Sequence, residues 1–218
     1  MQRLDASALR AEQARTLATP RMRYSLLARA LFVGMDLVYG RRRTLSKFKV
    51  LELIARVPYQ AWEQVGYVAM THTAHDPGLA RRIFDRVRQS RQQQDNEQWH
   101  LLILQELIGH GGRREGSIRY WLLPQLVAFA YYQIVWVLYV VRPAAAYHLN
   151  AEFEDHAEHE YMEFVRDHPE LEREPFDSVL AEDYGRFASQ ADLFRQIGYD
   201  ERVHKEESLG WLETPRFS

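Results

Sequence analysis

Two tetrapeptides in this chain, Glu97-Gln98-Trp99-His100 and Glu201-Arg202-Val203-His204, share the pattern Glu-x-x-His. Of the nine histidines in the chain, none of the other seven has a glutamate three positions before it. At that spacing both side chains leave one face of a helix, so a carboxylate and an imidazole can reach a common point. The pair suits a metal ion that the carboxylate bridges and the imidazole binds terminally. A single Glu-x-x-His is usually an exposed polar pair. Two of them make the rest of the chain worth searching for partners.

The elements that must position these residues are helices, because apolar residues recur at helical spacing and no period-two run or Asn-Gly hairpin signal is present. Six long helices are expected. They run from about Met22 to Tyr39; from after the basic run GRRRTLSKFK to about Tyr67, with Pro58 as a kink; from Asp76-Pro77 to the glycines 109, 111 and 112; from Ser117 to Val141; from after Pro143 to near Pro169; and from Gln190 to Leu209. A short helix or loop is expected at 176–187, and residues 1–20 read as a flexible tail of a single domain spanning 1–218.

On the third helix the stripe Ile83, Val87, Ser90, Gln94, Glu97, Leu101, Leu104, Ile108 puts Glu97 where a core side chain belongs. Phe194, Ile197, Glu201 and His204 repeat the pattern on the last helix. Glu52 shares a stripe with Phe48, Ala55, Tyr59 and Trp62, and Glu154 runs beside Phe153, Ala157, Tyr161 and Phe164. A buried carboxylate without a partner costs several kcal/mol or takes up a proton. Four inward acids, two with an attached histidine, therefore call for cations, and two iron ions supply the charge in the known arrangement of one Glu from each of two helices and Glu-x-x-His from each of two others. His156 and His159 are rival ligands on pattern alone. Glu152, Asp155, Glu158 and Glu160 read as solvated or as outer supports, and Glu106 as taking no part.

The bulk properties narrow the chemistry. The chain has 218 residues with a net charge of −2, so no overall field favours nucleic acid. It has no cysteine, which removes disulfides, thiolate metal sites and a cysteine nucleophile. The N-terminus lacks the apolar core of a secretory signal, and a cytoplasm-like compartment is expected. Tyr120 to Val141 carries no charge and by hydropathy alone reads as transmembrane. If it crossed once, however, Glu97 and Glu154 would lie on opposite sides of a slab about 30 Å thick. A shared site requires it to stay on one side, as the crossover helix of a ferritin-like bundle. It and the first helix are then free to lie in one leaflet, with Arg21, Arg23, Arg29, Arg41, Arg42, Arg43, Lys47 and Lys49 near anionic headgroups.

The order LELIARVPY, NEQWHLLILQEL, FEDHAEHEYMEF and YDERVHKEE resembles the alternative oxidases, membrane-bound non-haem di-iron quinol oxidases. The resemblance runs from about Tyr39 to Leu209, and ARVPY, HLLILQEL and the His156-Ala157 pair lean toward the plastid terminal oxidase branch, with a bacterial or cyanobacterial homologue expected. It implies iron ligands Glu52, Glu97, His100, Glu154, Glu201 and His204, a redox-active Tyr161, orienting residues Asn96 and Asp200, and a quinol pocket at Lys47, Leu51 and Ala157. Tyr161, seven residues after Glu154, lies about 20° off the same helical face. The sequence departs from the family at Lys47, where an arginine is usual, at Gly198, and near Tyr184, where a family tryptophan is not evident.

The expectation is an all-α, ferritin-like four-helix di-iron bundle with two additional membrane-facing helices, seated peripherally on the cytoplasmic side of a membrane. Its activity is quinol oxidation, with ubiquinol or plastoquinol as donor, coupled to four-electron reduction of O₂ to water without proton pumping. A homodimer is expected from the apolar face the helix pairs leave over. The competing expectations are a di-iron quinone-biosynthesis hydroxylase and a non-catalytic helical membrane or metal-binding protein.

Overall fold

Local chemistry sets most helix ends. Asp5, Ser25, Thr44, Asp76 and Ser189 each accept a backbone N–H of the first turn with a side-chain oxygen, and Pro77 and Pro143 open their helices where no N–H is needed. Gly40 ends one helix with φ +86°, a conformation costly for any residue with a Cβ. The computed structural model describes residues 2–112 and 114–216. The helices are α1 (Ala6–Ala18), α2 (Leu26–Tyr39), α3 (Leu45–Ala55), α4 (Val57–Thr73), α5 (Pro77–His110), α6 (Leu123–Val141), α7 (Pro143–Asp167) and α8 (Gln190–Gly210). No strand occurs among the described residues.

The broken helix α3–α4 packs along α5, and α7 packs along α8, giving the four-helix bundle. α6 crosses over between α5 and α7, touching α4 and α7. The second expected helix is thus two: the chain breaks at Arg56, two residues before Pro58, whose ring excludes a continuous ladder. A π-helical turn, Ile118–Leu122, leads into α6. It directly precedes Pro124, which has no N–H to offer the carbonyl a turn earlier. Residues 176–187 form turns rather than a helix, and a 3₁₀ turn lies at Pro169–Glu172.

The N-terminal expectation is corrected. Residues 6–18 form α1, docked on α7 and α8. The docking is largely polar: Thr16 Oγ1 donates to Glu158 at 2.6 Å, Gln13 Nε2 to the Met162 carbonyl at 2.9 Å, and Arg202 to Glu12. Leu9 is its one fully buried apolar side chain, so α1 shows no stripe for a sequence pattern to register.

α2, α6 and the π-helical turn before α6 present the apolar exterior, with Leu26, Leu37, Ile118, Trp121 and Phe129 all largely exposed. Ile118–Val141 is long and apolar enough to cross a membrane, and only 22% of its apolar 18-residue window is buried in the protein. Of the eight flanking cations, Arg21 and Arg43 instead pair with Glu160 and Glu163, Lys47 with Asp36 and Lys49 with Glu115. Arg23, Arg29, Arg41 and Arg42 remain exposed.

The α4–α5 seam is tight at Gly66, where an added Cβ would stand 2.4 Å from Val87 Cγ2. Val87 is β-branched on a helix and cannot swing its methyl away cheaply. Gly66→Ala is expected to lower stability despite the better helix propensity of alanine, since overpacking costs about 1–3 kcal/mol against a propensity gain of about 1 kcal/mol. Thermal denaturation by circular dichroism checks this. In a Val87→Ala background the same substitution is expected to be neutral or stabilising.

Candidate metal centre

The four inward acids and two histidines meet. Glu52 comes from α3, Glu97 and His100 from mid-α5, Glu154 from α7, and Glu201 and His204 from α8, all with 0% exposure. One donor atom each from Glu52, Glu97, His100 and Glu201 lie within 4.8 Å of one another, and so do donors from Glu97, Glu154, Glu201 and His204. The two tetrads share Glu97 and Glu201. Those two are the geometric bridges, with Glu52 and His100 at one end and Glu154 and His204 at the other. Because Glu97 and Glu154 flank α6 in sequence and meet here, α6 does not separate them across a bilayer.

Both imidazoles turn Nδ1 toward the acids. His100 Nδ1 lies 3.1 Å from Glu52 and 3.1 Å from Glu201. His204 Nδ1 lies 2.7 Å from Glu97 Oε1, close enough for an ion pair yet off the angle a hydrogen bond needs. Both oxygens of Glu97 and Glu201, Glu154 Oε2 and both ring nitrogens of His204 are buried without a hydrogen-bond partner. Unpartnered buried carboxylate oxygens cost free energy unless a cation meets them. An all-oxygen and imidazole donor set without sulfur suits iron or a similar transition metal. The residues therefore fit a pair of metal ions.

Second contacts steady the donors. Asp200 Oδ2 lies 3.4 Å from His100 Nε2, and Asn96 Nδ2 donates to that oxygen at 3.2 Å. Tyr161 donates to Glu52 and stacks on Phe48 at 4.4 Å between ring centroids. Tyr59 Oη donates to Glu154 at 2.7 Å, and Asn150 Nδ2 donates to the same carboxylate at 3.1 Å. The role of Tyr59 escaped the sequence reading, although its place on the Glu52 stripe, seven residues on, was the signal. Tyr184 escaped it too. It sits in a turn region with no periodicity, yet its hydroxyl reaches Asp200 at 2.9 Å. Lys47, Leu51 and Ala157 are buried, and Lys47 Nζ bonds Asp36 at 2.6 Å. An apolar groove between α2, α3, α6 and α7 has Leu31, Met35, Val50, Ile54, Pro124 and Phe153 among its walls, rather than those three residues.

The rival histidines lie elsewhere. His156 stacks on Phe32 at 3.9 Å and meets Arg21, and burial, aided by Arg21 and Lys47, pulls its imidazole down to about 4. His159 spends its nitrogens on the Asp155 and Thr19 carbonyls. The outer acids of α7 are not solvated, which leaves the other of the two readings, outer supports. Glu152, Asp155 and Glu158 are each 1% exposed. They accept from Ser25, from Met22 and Tyr24, and from Thr16 and Arg202. Lys205 meets both Asp155 and Glu158, so that cluster already has its positive charge. Glu106 holds the turn at Ser178 and Val179, away from the centre.

These features define an all-helical bundle built round a buried carboxylate and imidazole cluster that could hold metal. The model of the alternative oxidase family matches residues 9–208, and the chain belongs to that family. It is similar to ubiquinol oxidase 4, chloroplastic/chromoplastic, of Arabidopsis thaliana, 36% identical over 132 residues. That match covers 61% of this chain and 34% of the relative, so the chain spans about a third of the relative's length. No solved structure matches.

Burial, then repulsion from Glu201 and Glu97, raises Glu52 well above the carboxylate range, and burial with the same two neighbours raises Glu154. Burial alone would lower the imidazoles. Tyr184, Asp200, Glu201 and Glu52 reverse this for His100, and Glu97 and Glu201 for His204. Glu97 is also pushed up by burial, but His204 and His100 outweigh it and hold Glu97 below its ordinary value. Groups raised on folding stabilise below their unfolded values, about 4.3 for Glu and about 6.5 for His, and that contribution is lost as pH rises. The Glu97 contribution runs the other way and is lost only in acid. The metal-free protein is therefore expected to melt at lower temperature as pH goes from about 6 to 9. Bound metal, which requires deprotonated ligands, should flatten that slope. Calorimetry of both forms checks it, and a metal-free melting temperature that rises over this range contradicts the charge assignment.

Proposed function

We propose that this protein is a quinol:oxygen oxidoreductase, oxidising quinol and reducing O₂ to water at two irons held by Glu52, Glu97, His100, Glu154, Glu201 and His204. The observation that carries the reading is the pair of overlapping tetrads with unpartnered carboxylate oxygens at their shared members. The irons, when bound, would supply O₂ binding and one-electron redox capacity. The rest falls to the chain itself. The helices exclude water from the centre. Asp200 and Asn96 orient His100.

Tyr161 keeps its proton: burial first, then Glu52 and Glu201, raise its phenol well above the ordinary value. Its O–H points at Glu52, so with Glu52 ionised as a metal ligand an electron could pass from the ring to the bound irons while the proton passes to that carboxylate. This supports the oxidase over a quinone hydroxylase, which has no use for that tyrosine. The quinol head is proposed to reach the neighbourhood of Lys47, Leu51 and Ala157 on the α3 and α7 faces beside Glu52 and Glu154. Its apolar tail suits the groove between α2 and α6, and the exposed apolar faces of those helices suit one leaflet of a membrane, with Arg23, Arg29, Arg41 and Arg42 at the headgroups.

The test is O₂ uptake by the purified, iron-loaded full chain with short-chain ubiquinol or plastoquinol. Cyanide-resistant uptake is expected, abolished by Glu97→Ala and slowed by about 10²-fold or more in Tyr161→Phe. No uptake with either quinol overturns the reading, and a hydroxylated quinone as product assigns the centre to the hydroxylase chemistry instead.

A further inference from the structure

His100 is braced from behind by Asp200, and Asp200 is itself held by a residue from the far end of the chain. Arg3 Nη1 lies 3.1 Å from Asp200 Oδ2, and the guanidinium carbon stands 3.9 Å over the ring of Tyr184. Tyr184 Oη donates to that same oxygen at 2.9 Å and lies 3.2 Å from His100 Nε2. The other Asp200 oxygen accepts from Gln196 Nε2 at 2.8 Å. Gln196 also fixes the backbone on either side of Arg3, donating to the Gln2 carbonyl at 3.0 Å and accepting from Leu4 N at 3.0 Å.

Gly185 completes the seat. Its φ is +145°, and a Cβ there would stand 3.2 Å from Arg3 Cδ and Nε. A residue with a side chain at 185 would both strain the backbone and press on the arginine. α1 then anchors the segment further along through Thr16, Glu12 and Gln13.

We propose that Arg3 is a positioning residue of the metal centre, pinning the Asp200 side chain between Tyr184 and Asn96 so that Asp200 holds His100 with Nδ1 on the cluster. The inference rests on the metal-centre reading above, though not on quinol being the substrate. Asp200 is fully buried, and Arg3, Tyr184 and Asn96 all converge on its Oδ2, so removing Arg3 frees the oxygen that faces His100. Arginine does two things at once: its planar fork reaches Asp200 while its face lies on Tyr184. Lysine keeps the charge and loses the stacking.

The test uses Co(II) as the probe, titrated into metal-free full-length protein and read by ligand-field absorption and by competition with a chelator. Wild type is expected to bind two Co(II) ions. In Arg3→Ala the ion on the His100 side should bind about ten-fold or more weakly, with an altered absorption band, as loss of a ligand's outer partner does in other metal sites. The ion on the His204 side should keep its spectrum, and Arg3→Lys should recover affinity in part. Gly185→Ala, which displaces the side chain without removing its charge, should move the His100-side band in the same direction. Circular dichroism confirms folding. If Arg3→Ala does not fold, Arg3→Lys and Gly185→Ala decide.

Wild-type affinity and spectra in the folded variants overturn the proposal and leave Arg3 a surface anchor. Two bound Co(II) ions that respond to Arg3, in a protein without quinol oxidation, sink the proposed function and leave this inference standing. A wild type that binds no Co(II) overturns it together with the metal reading.

Discussion

Four carboxylates from four helices are driven into one small, dry volume, and the positive charge they require governs the rest of the structure. Glu52, Glu97, Glu154 and Glu201 are wholly buried; His100 and His204 are the ion-pair partners of the first two and of Glu201, while Glu154 accepts hydrogen bonds from Tyr59 and Asn150 instead. Two imidazoles cannot neutralise four carboxylates, and several oxygens are left without any hydrogen bond. Apolar packing at Phe48, Ile103, Leu104, Phe153, Phe194 and Ile197 brings the helices together around this charge. The same packing excludes the water that would otherwise solvate it. A pair of metal ions would resolve the conflict and turn a destabilising cluster into a link between α3, α5, α7 and α8.

Charge compensation extends outward in layers. α7 carries acids on its inner and outer faces alike. The inner one, Glu154, belongs to the centre. The outer ones, Glu152, Asp155 and Glu158, meet the N-terminal segment and α8 through Ser25, Met22, Tyr24, Thr16, Arg202 and Lys205. A helix so rich in acids can be buried on most sides only because each face has its own source of hydrogen-bond donors or cations. α1 and the chain before it close the bundle at the points where the ligand-bearing helices would otherwise show unpaired charge.

The centre was legible in the sequence because its residues obey two rules at once. Each acid lies on an apolar stripe, where chance would place a leucine, and each histidine follows a glutamate by three. Helix ends at Asp76, Gly109 to Gly112 and Pro143 carried their own punctuation. What stayed hidden depends on contacts between segments distant in the chain. α1 docks through polar groups and shows no stripe. Tyr184 and Gly185 sit in turns. The outer acids of α7 look solvated in a one-dimensional reading, since their partners lie more than a hundred residues away or on α8. The break at Arg56 was signalled by Pro58 but resolved into two helices only by the packing of α4 against α5 and α6.

The central claim is that two metal ions sit between Glu97 and Glu201, one toward Glu52 and His100 and the other toward Glu154 and His204. Anomalous diffraction at the iron edge, from crystals of anaerobically reconstituted protein, tests it most directly. Two separate peaks are predicted, both in contact with Glu97 and Glu201 and each next to one histidine. A single peak, or iron bound only at Asp155, Glu158 and His159, would contradict it.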